Sequence, residues 1–81
     1  MYDQRWERSV RVELQSHGTR IISTTREAAD CLIDLWPKDH SKEFDEALRI
    51  CLDVYEGNET PSAARKAFIA AAIRAAVPVE Y

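Results

Sequence analysis

The stretch TPSAARKAFIAAAIRAAVP, residues 60–78, decides the fold of this 81-residue chain. Thr60 is placed to cap a helix, and Pro61 suits its first position because its fixed φ and missing N–H are tolerated there. Pro78 is expected to end the helix. The segment is too apolar to be stable alone in water, so we expect the rest of the chain to cover it.

The residues before this segment predict a β-hairpin. Residues 8–15 alternate between polar and apolar side chains, which is the pattern of a strand with one buried face. Trp6 shares the parity of Val10 and extends the apolar face if the strand begins early. Gly18 suits the connection because it adopts positive φ at no steric cost, and residues 20–23 are predicted to form the return strand.

A first helix is predicted directly after the hairpin. Ser23 or Thr24 can cap it, and Thr24 followed by Glu27 matches the capping-box pattern. Pro37 is expected to force its end, because the residue before a proline is pushed out of the helical region. One face of this helix is apolar: Ala28, Ala29, Leu32, Leu35 and Trp36.

A second helix is predicted between Pro37 and Gly57. Asp39 or Ser41 can cap its start, and Gly57 can supply the left-handed residue that closes it. Its apolar stripe consists of Phe44, Ala47, Leu48, Cys51, Val54 and Tyr55. The sequence therefore predicts one small α+β domain over residues 1–81, a two-stranded antiparallel hairpin followed by three helices, with the third helix central.

Composition narrows the possible functions. The chain is 46% hydrophobic and 31% charged, as in ordinary globular domains, and its net charge of −3 is unlike the basic stripe of a general nucleic-acid binder. The first ten residues hold no apolar core, so we expect no secretion signal. No run approaches the roughly 20 apolar residues that span a membrane. We therefore expect a cytoplasmic protein with two free thiols.

A set of residues spread along the chain forms a recognisable pattern: Trp6, Gly18, Ile22, Ser23, Glu27, Ala28, Ala29, Leu32, Trp36, Pro37, Ala47, Cys51, Gly57 and 64–69. With this pattern the chain resembles a domain-of-unknown-function family of short bacterial proteins that is common in rhizobia and their relatives. The resemblance covers nearly the whole chain, and it implies a stand-alone protein of two strands and three helices with no assigned activity. It carries no catalytic or binding residues to transfer.

The cysteines and histidines, which often act in catalysis or metal binding, are predicted here to be packed in the core or exposed to solvent. Cys51 lies in the apolar stripe of the second helix, and Cys31 lies at the boundary of the first, where nearby carboxylates disfavour a thiolate. His17 and His40 fall in predicted turns and form no convergent set of zinc ligands. We therefore predict no catalytic residue, no metal, no cofactor, no small-molecule substrate and no enzymatic activity.

The third helix has apolar side chains on two faces. Ile69, Ile73 and Val77 lie on the side opposite the predicted core face. That core face consists of Ala64, Ala67, Phe68, Ala71, Ala72 and Ala75. Either the hairpin and the other two helices together cover both faces, or the second face meets a partner. The candidate interaction surface comprises Arg65, Lys66, Ile69, Ile73, Arg74 and Val77.

The function itself stays unknown from these patterns, and two hypotheses remain. The first is a small non-catalytic interaction or regulatory protein that self-associates as a homodimer or binds an unidentified protein, since free strand edges accept further strands. The alternative is a weak nucleic-acid-binding module that uses the basic face of helix three, with Arg8, Arg11 and Arg20 of the hairpin assisting.

Overall fold

The elements of the protein follow the predicted order. The computed structural model describes residues 5–37 and 41–81. The α+β class and the hairpin followed by three helices are confirmed. The elements are β1 (Arg5–Leu14), β2 (Gly18–Thr24), α1 (Thr25–Asp34), α2 (Lys42–Tyr55), α3 (Pro61–Arg74) and β3 (Val79–Glu80).

The sheet has a third strand, Val79–Glu80, that was not predicted. β1 lies in the middle of an antiparallel sheet of order β2-β1-β3. Val12 pairs with Arg20 on one side and with Val79 on the other. The Glu13 N–H also donates to the Pro78 carbonyl at 3.0 Å. A two-residue strand is too short to show an alternating pattern, so only the pairing reveals it.

The hairpin is longer than predicted at both strands. β1 begins at Arg5, with an irregularity in its pairing between Arg5 and Val10, and Trp6 is buried with the inner face as expected. The His17 N–H donates to the Leu14 carbonyl at 3.2 Å, and Gly18 adopts a φ of 75°. A positive φ favours glycine, which explains the residue at this turn.

The start of α1 has the predicted cap. Thr24 Oγ1 accepts the Glu27 N–H at 3.1 Å, and Glu27 Oε1 accepts the Ser23 N–H at 2.7 Å. The helix then ends at Asp34, three residues before Pro37, because Leu35 leaves the helical region while its N–H still bonds the Cys31 carbonyl. Ser41 caps α2 by accepting the Phe44 N–H at 3.2 Å, and the other predicted cap, Asp39, lies outside the described residues.

The two later helices end in the same way but with different residues. After α2, Gly57 has a φ of 82° and donates its N–H to the Val54 carbonyl at 3.1 Å, as predicted for the closing glycine. After α3, Ala76 takes that position with a φ of 58° and donates to the Ile73 carbonyl at 3.1 Å. The helix therefore ends at Arg74, and the prediction that it runs to Pro78 is wrong.

The third helix is central, as predicted. It contacts α1, α2, β1 and β3, and its Phe68 is fully buried. The rings of Trp6 and Trp36 approach Phe68 at centroid distances of 6.0 and 5.4 Å, tilted by 56° and 54°. Tilted aromatic pairs at this distance are favourable beyond the area that they bury. This cluster ties the first strand and the segment directly after α1 to α3.

Candidate interaction surface

The structure divides the predicted α3 surface. Ile69 and Val77 are buried, and they belong to the core together with Phe68 and the buried alanines of the helix. Ile73 is 58% exposed, beside exposed Lys66 and Arg74. The chain itself therefore covers two of the three apolar residues, and a single exposed isoleucine does not form an apolar patch of the size that marks interfaces.

The position of Val77 follows from the end of α3. The Val77 N–H donates to the Ala72 carbonyl at 2.9 Å, after Ala76 has reversed the chain direction. This bond turns the chain back onto the sheet, where β3 pairs with β1. Helical spacing placed Val77 on the same strip as Ile73, but Val77 lies outside the helix, so the spacing no longer applies to it.

The bases of the nucleic-acid alternative are dispersed. Arg11 pairs with Glu80 at 3.7 Å and Arg74 pairs with Glu43 at 3.6 Å. Two of the predicted bases are in contact, since the Arg65 Nε–H donates to the Arg8 carbonyl at 2.9 Å. With Arg5 they line a groove of about 470 Å³ at the start of α3, and that groove also contains Glu7.

The outer edge of β2 has no partner strand among the described residues. Because the Glu13 N–H points toward β3, the alternate residues of β1 point their backbone groups toward β2. The backbone groups of Arg20 and Ile22 in β2 are therefore hydrogen-bonded to β1. The backbone groups of Thr19 and Ile21 point in the opposite direction, away from the sheet. These groups form a free template for one more strand.

A groove runs beside this free edge. The Ser23 N–H bonds the Glu27 carboxylate at the start of α1, and the groove then continues to Cys31 and Leu35 farther along the helix. It encloses about 280 Å³ and is lined by these residues: Arg20, Ile21, Ile22, Glu27, Asp30, Cys31, Asp34 and Leu35. We call this feature the β2–α1 groove. Its floor is apolar, and Ile21 at its rim is 56% exposed.

The rim of the β2–α1 groove is acidic. Glu27, Asp30 and Asp34 follow one another at spacings of three and four residues, so they lie on one side of α1. Glu27 is engaged at the helix cap, whereas Asp30 and Asp34 are exposed and take part in none of the ion pairs of the described residues. Arg20 is the one cation among the groove's lining residues.

This groove was not predicted from the sequence, although one signal for it was present. Glu27, Asp30 and Asp34 follow a predicted strand, and their spacing places them in a row on one side of the predicted helix. That row becomes a groove rim only if β2 is an edge strand. The strand order depends on the pairing of Val79 with Val12, which no local pattern predicts.

Both thiols are buried rather than exposed for chemistry. Cys31 and Cys51 are free cysteines in the core, and Cys31 lies deeper than the boundary position that its place on α1 suggested. Burial raises the pKa of each thiol to about 11, and the Arg20 guanidinium partly offsets this effect at Cys31. His17 is exposed in the hairpin turn, and His40 lies outside the described residues.

The described residues form neither a metal site nor a membrane-spanning helix. Within residues 5–37 and 41–81, no three or more side chains of His, Cys, Asp and Glu converge on a position where they could hold a metal ion. None of the helices formed by these residues combines the length and apolar character needed to cross a membrane.

Comparison with known proteins identifies the family of the chain. A model of a family described as "Protein of unknown function (DUF982)" matches residues 8–79. The chain belongs to this family. The predicted resemblance to a family of unknown function is thereby confirmed, while the bacterial group and the marker residues named for it stay predictions. A search of curated proteins found no match, and a search of solved structures found none.

Proposed function

We propose that the protein is a small non-catalytic interaction module of the cytoplasm that works by accepting an additional β-strand. The observation that carries the proposal is the free edge of β2, where Thr19 and Ile21 direct their backbone groups away from the sheet. Strand addition uses such backbone groups for affinity and neighbouring grooves for selectivity.

The thiols support the non-catalytic part of the proposal. With pKa values raised to about 11, Cys31 and Cys51 present little of the reactive thiolate near neutral pH. Both are also buried, and only Cys31 lies next to a groove. Two unpaired thiols are compatible with the reducing environment of a cytoplasm.

Self-association is the simplest form of this function. Two copies can pair their β2 edges across a two-fold axis, which joins two three-stranded sheets into one without any change of fold. The α3 surface, reduced to Ile73 with Lys66 and Arg74 exposed beside it, is the other candidate contact between two copies.

The test replaces Ile21 by proline and, as a matched control, by threonine. Ile21→Pro removes the outward N–H, and an edge strand tolerates proline when that N–H faces solvent. Ile21→Thr keeps the N–H and removes a similar amount of apolar surface. We expect the mass measured by light scattering to rise with concentration for wild type and Ile21→Thr, but not for Ile21→Pro.

The outcomes separate the two surfaces. Loss of association in Ile73→Asp with no effect of Ile21→Pro would assign the contact to α3 and refute the β2 edge. A wild type that remains monomeric up to millimolar concentration would refute self-association altogether.

One observation favours nucleic-acid binding as a second candidate function. Arg5, Arg8 and Arg65 share the groove at the start of α3, where helix N–H groups also favour a phosphate. Gel-shift titration with single- and double-stranded DNA and RNA at low salt tests this candidate, because the electrostatic attraction is then strongest. We expect any shift to disappear in Arg8→Gln/Arg65→Gln, and the absence of a wild-type shift would reject the candidate.

A further inference from the structure

We propose that the preferred occupant of the β2–α1 groove is an extended segment of another protein that carries basic side chains at alternate positions. This inference rests on the proposed function, since it names the partner of the same strand edge. It follows from three properties of the groove: its free backbone groups, its apolar floor and the charge of its rim.

The backbone of β2 fixes the conformation of the occupant. Thr19 and Ile21 offer both N–H and C=O groups outward, while the Ser23 N–H is already bonded to Glu27. An added strand thus has two consecutive bonding positions along β2 before it reaches the helix cap. An extended segment satisfies these groups, whereas a helix has no free backbone groups along its length to offer them.

The carboxylates of α1 fix the chemistry and the spacing. Asp30 and Asp34 are four residues apart on a helix, a rise of about 6 Å. Side chains two positions apart on one face of a strand are separated by about 6.7 Å. Two lysines or arginines at alternate positions of the added strand can therefore meet these two carboxylates in turn. Both carboxylates are exposed and without an ion-pair partner among the described residues.

The apolar floor of the groove lies beneath the path that the two basic side chains take to the rim. Ile22, Cys31 and Leu35 line the bottom of the groove. The methylene stems of lysine or arginine can lie on such a surface while the charged ends reach the rim. A basic side chain therefore suits both parts of the groove.

A second copy of this chain matches the groove less well. It brings one cation, its Arg20, into the junction, together with its own Asp30 and Asp34. The charge at the junction of two copies therefore stays negative, and like charges oppose the pairing. A basic segment neutralises the rim instead, so it displaces a second copy from the edge of β2.

The experiment titrates three capped hexapeptides into the ¹⁵N-labelled full chain and follows the amide signals by NMR. TKTKTK places lysine at alternate positions, TETETE reverses the charge, and KKKTTT keeps the composition of the first peptide without its alternation. We expect TKTKTK to shift the amide signals of Thr19 and Ile21 and to bind at least several-fold more tightly than KKKTTT, whereas TETETE produces no shift.

Matched variants test the role of the rim. Asp30→Asn/Asp34→Asn removes both carboxylates, and Glu56→Gln/Glu59→Gln changes the net charge equally at exposed positions outside the groove. We expect the first variant to weaken TKTKTK binding about tenfold, as two partly exposed ion pairs would do, and the second to leave it within twofold. Ile21→Pro should remove the binding.

Three results would overturn the inference. They are equal binding of TKTKTK and TETETE, equal binding of TKTKTK to both double variants, and no peptide binding at all. If the last result occurs while Ile21→Pro still abolishes concentration-dependent association, the proposed function stands and only the basic partner is wrong. If wild type is also monomeric, both are wrong.

Discussion

The indole N–H of Trp6 donates a hydrogen bond to Oγ1 of Thr25 at 3.1 Å, and both residues are buried. The bond joins the start of β1 to the first residue of α1, which are 19 residues apart in the chain. Trp6 also contacts Phe68 of α3 with its ring. One side chain thus fixes the positions of a strand and two helices relative to one another.

Replacing Trp6 by phenylalanine keeps an aromatic ring but leaves the buried Thr25 hydroxyl without this donor. We expect Trp6→Phe to lower the free energy of unfolding by about 1–3 kcal/mol, the usual effect of a buried polar group that loses its partner. Urea denaturation of Trp6→Phe, Thr25→Val and the double variant measures the coupling between the two residues. Strictly additive effects would show that the bond contributes nothing.

Ala76 adopts a left-handed conformation that costs alanine about 1–2 kcal/mol. We expect Ala76→Gly to raise the free energy of unfolding by about 0.5–1 kcal/mol, because glycine relieves this strain but loses more freedom on folding. The matched control is Ala70→Gly, an exposed position within α3, which should lower stability by about 1 kcal/mol. Destabilisation by both substitutions would contradict the geometry at the end of α3.

The two thiols predict a loss of stability at alkaline pH. Burial raises the pKa of Cys31 and Cys51 to about 11 in the folded chain, above the ordinary value of 9.0. Well below pH 9 both thiols are protonated in the folded and the unfolded chain, and their burial as neutral groups is fully favourable. As the pH rises from 9 to about 11 the unfolded chain loses these protons first, so each thiol lowers stability by up to about 1.4 kcal/mol per pH unit.

The measurement compares wild type with Cys31→Ala/Cys51→Ala by urea denaturation at several pH values. The variant is less stable at pH 7 because it contains cavities, so only the slope against pH is compared. Lysine and tyrosine titrate in both proteins and cancel in the difference. Equal slopes between pH 9 and 11 would contradict buried, protonated thiols.

Local residue patterns predicted the elements of this fold but not their arrangement at the sheet edge. The cap at Thr24 and the closing glycine Gly57 were identifiable because each depends on neighbouring residues only. The end of α3 was not, because an alanine occupies the left-handed position where glycine is the usual signal. β3 was not, because Val79 and Glu80 acquire their role by pairing with a distant strand.

The same reason limited the prediction of the candidate surface. Helical spacing placed Ile69, Ile73 and Val77 on one strip, but their exposure depends on how far the sheet and the returning chain extend over α3. The β2–α1 groove depends on which strand lies at the edge, and this follows from the order β2-β1-β3. Residue spacing shows which side chains are neighbours within one helix or strand. Whether those side chains are buried depends on the other helices and strands that pack over them.

Ile69 and Ile73 lie one helical turn apart, but only Ile69 is buried by the rest of the chain, so the two positions test which part of α3 is buried. Ile69→Asp places a carboxylate in the core, which leaves a buried charge without a partner and should unfold the small domain or destabilise it by several kcal/mol. Ile73→Asp changes an exposed side chain and should alter the free energy of unfolding by no more than about 0.5 kcal/mol. Urea denaturation followed by circular dichroism measures both. If the two variants were equally stable, Ile69 would be exposed in solution and the α3 strip would be an open apolar surface, which would return the candidate contact from the β2 edge to α3.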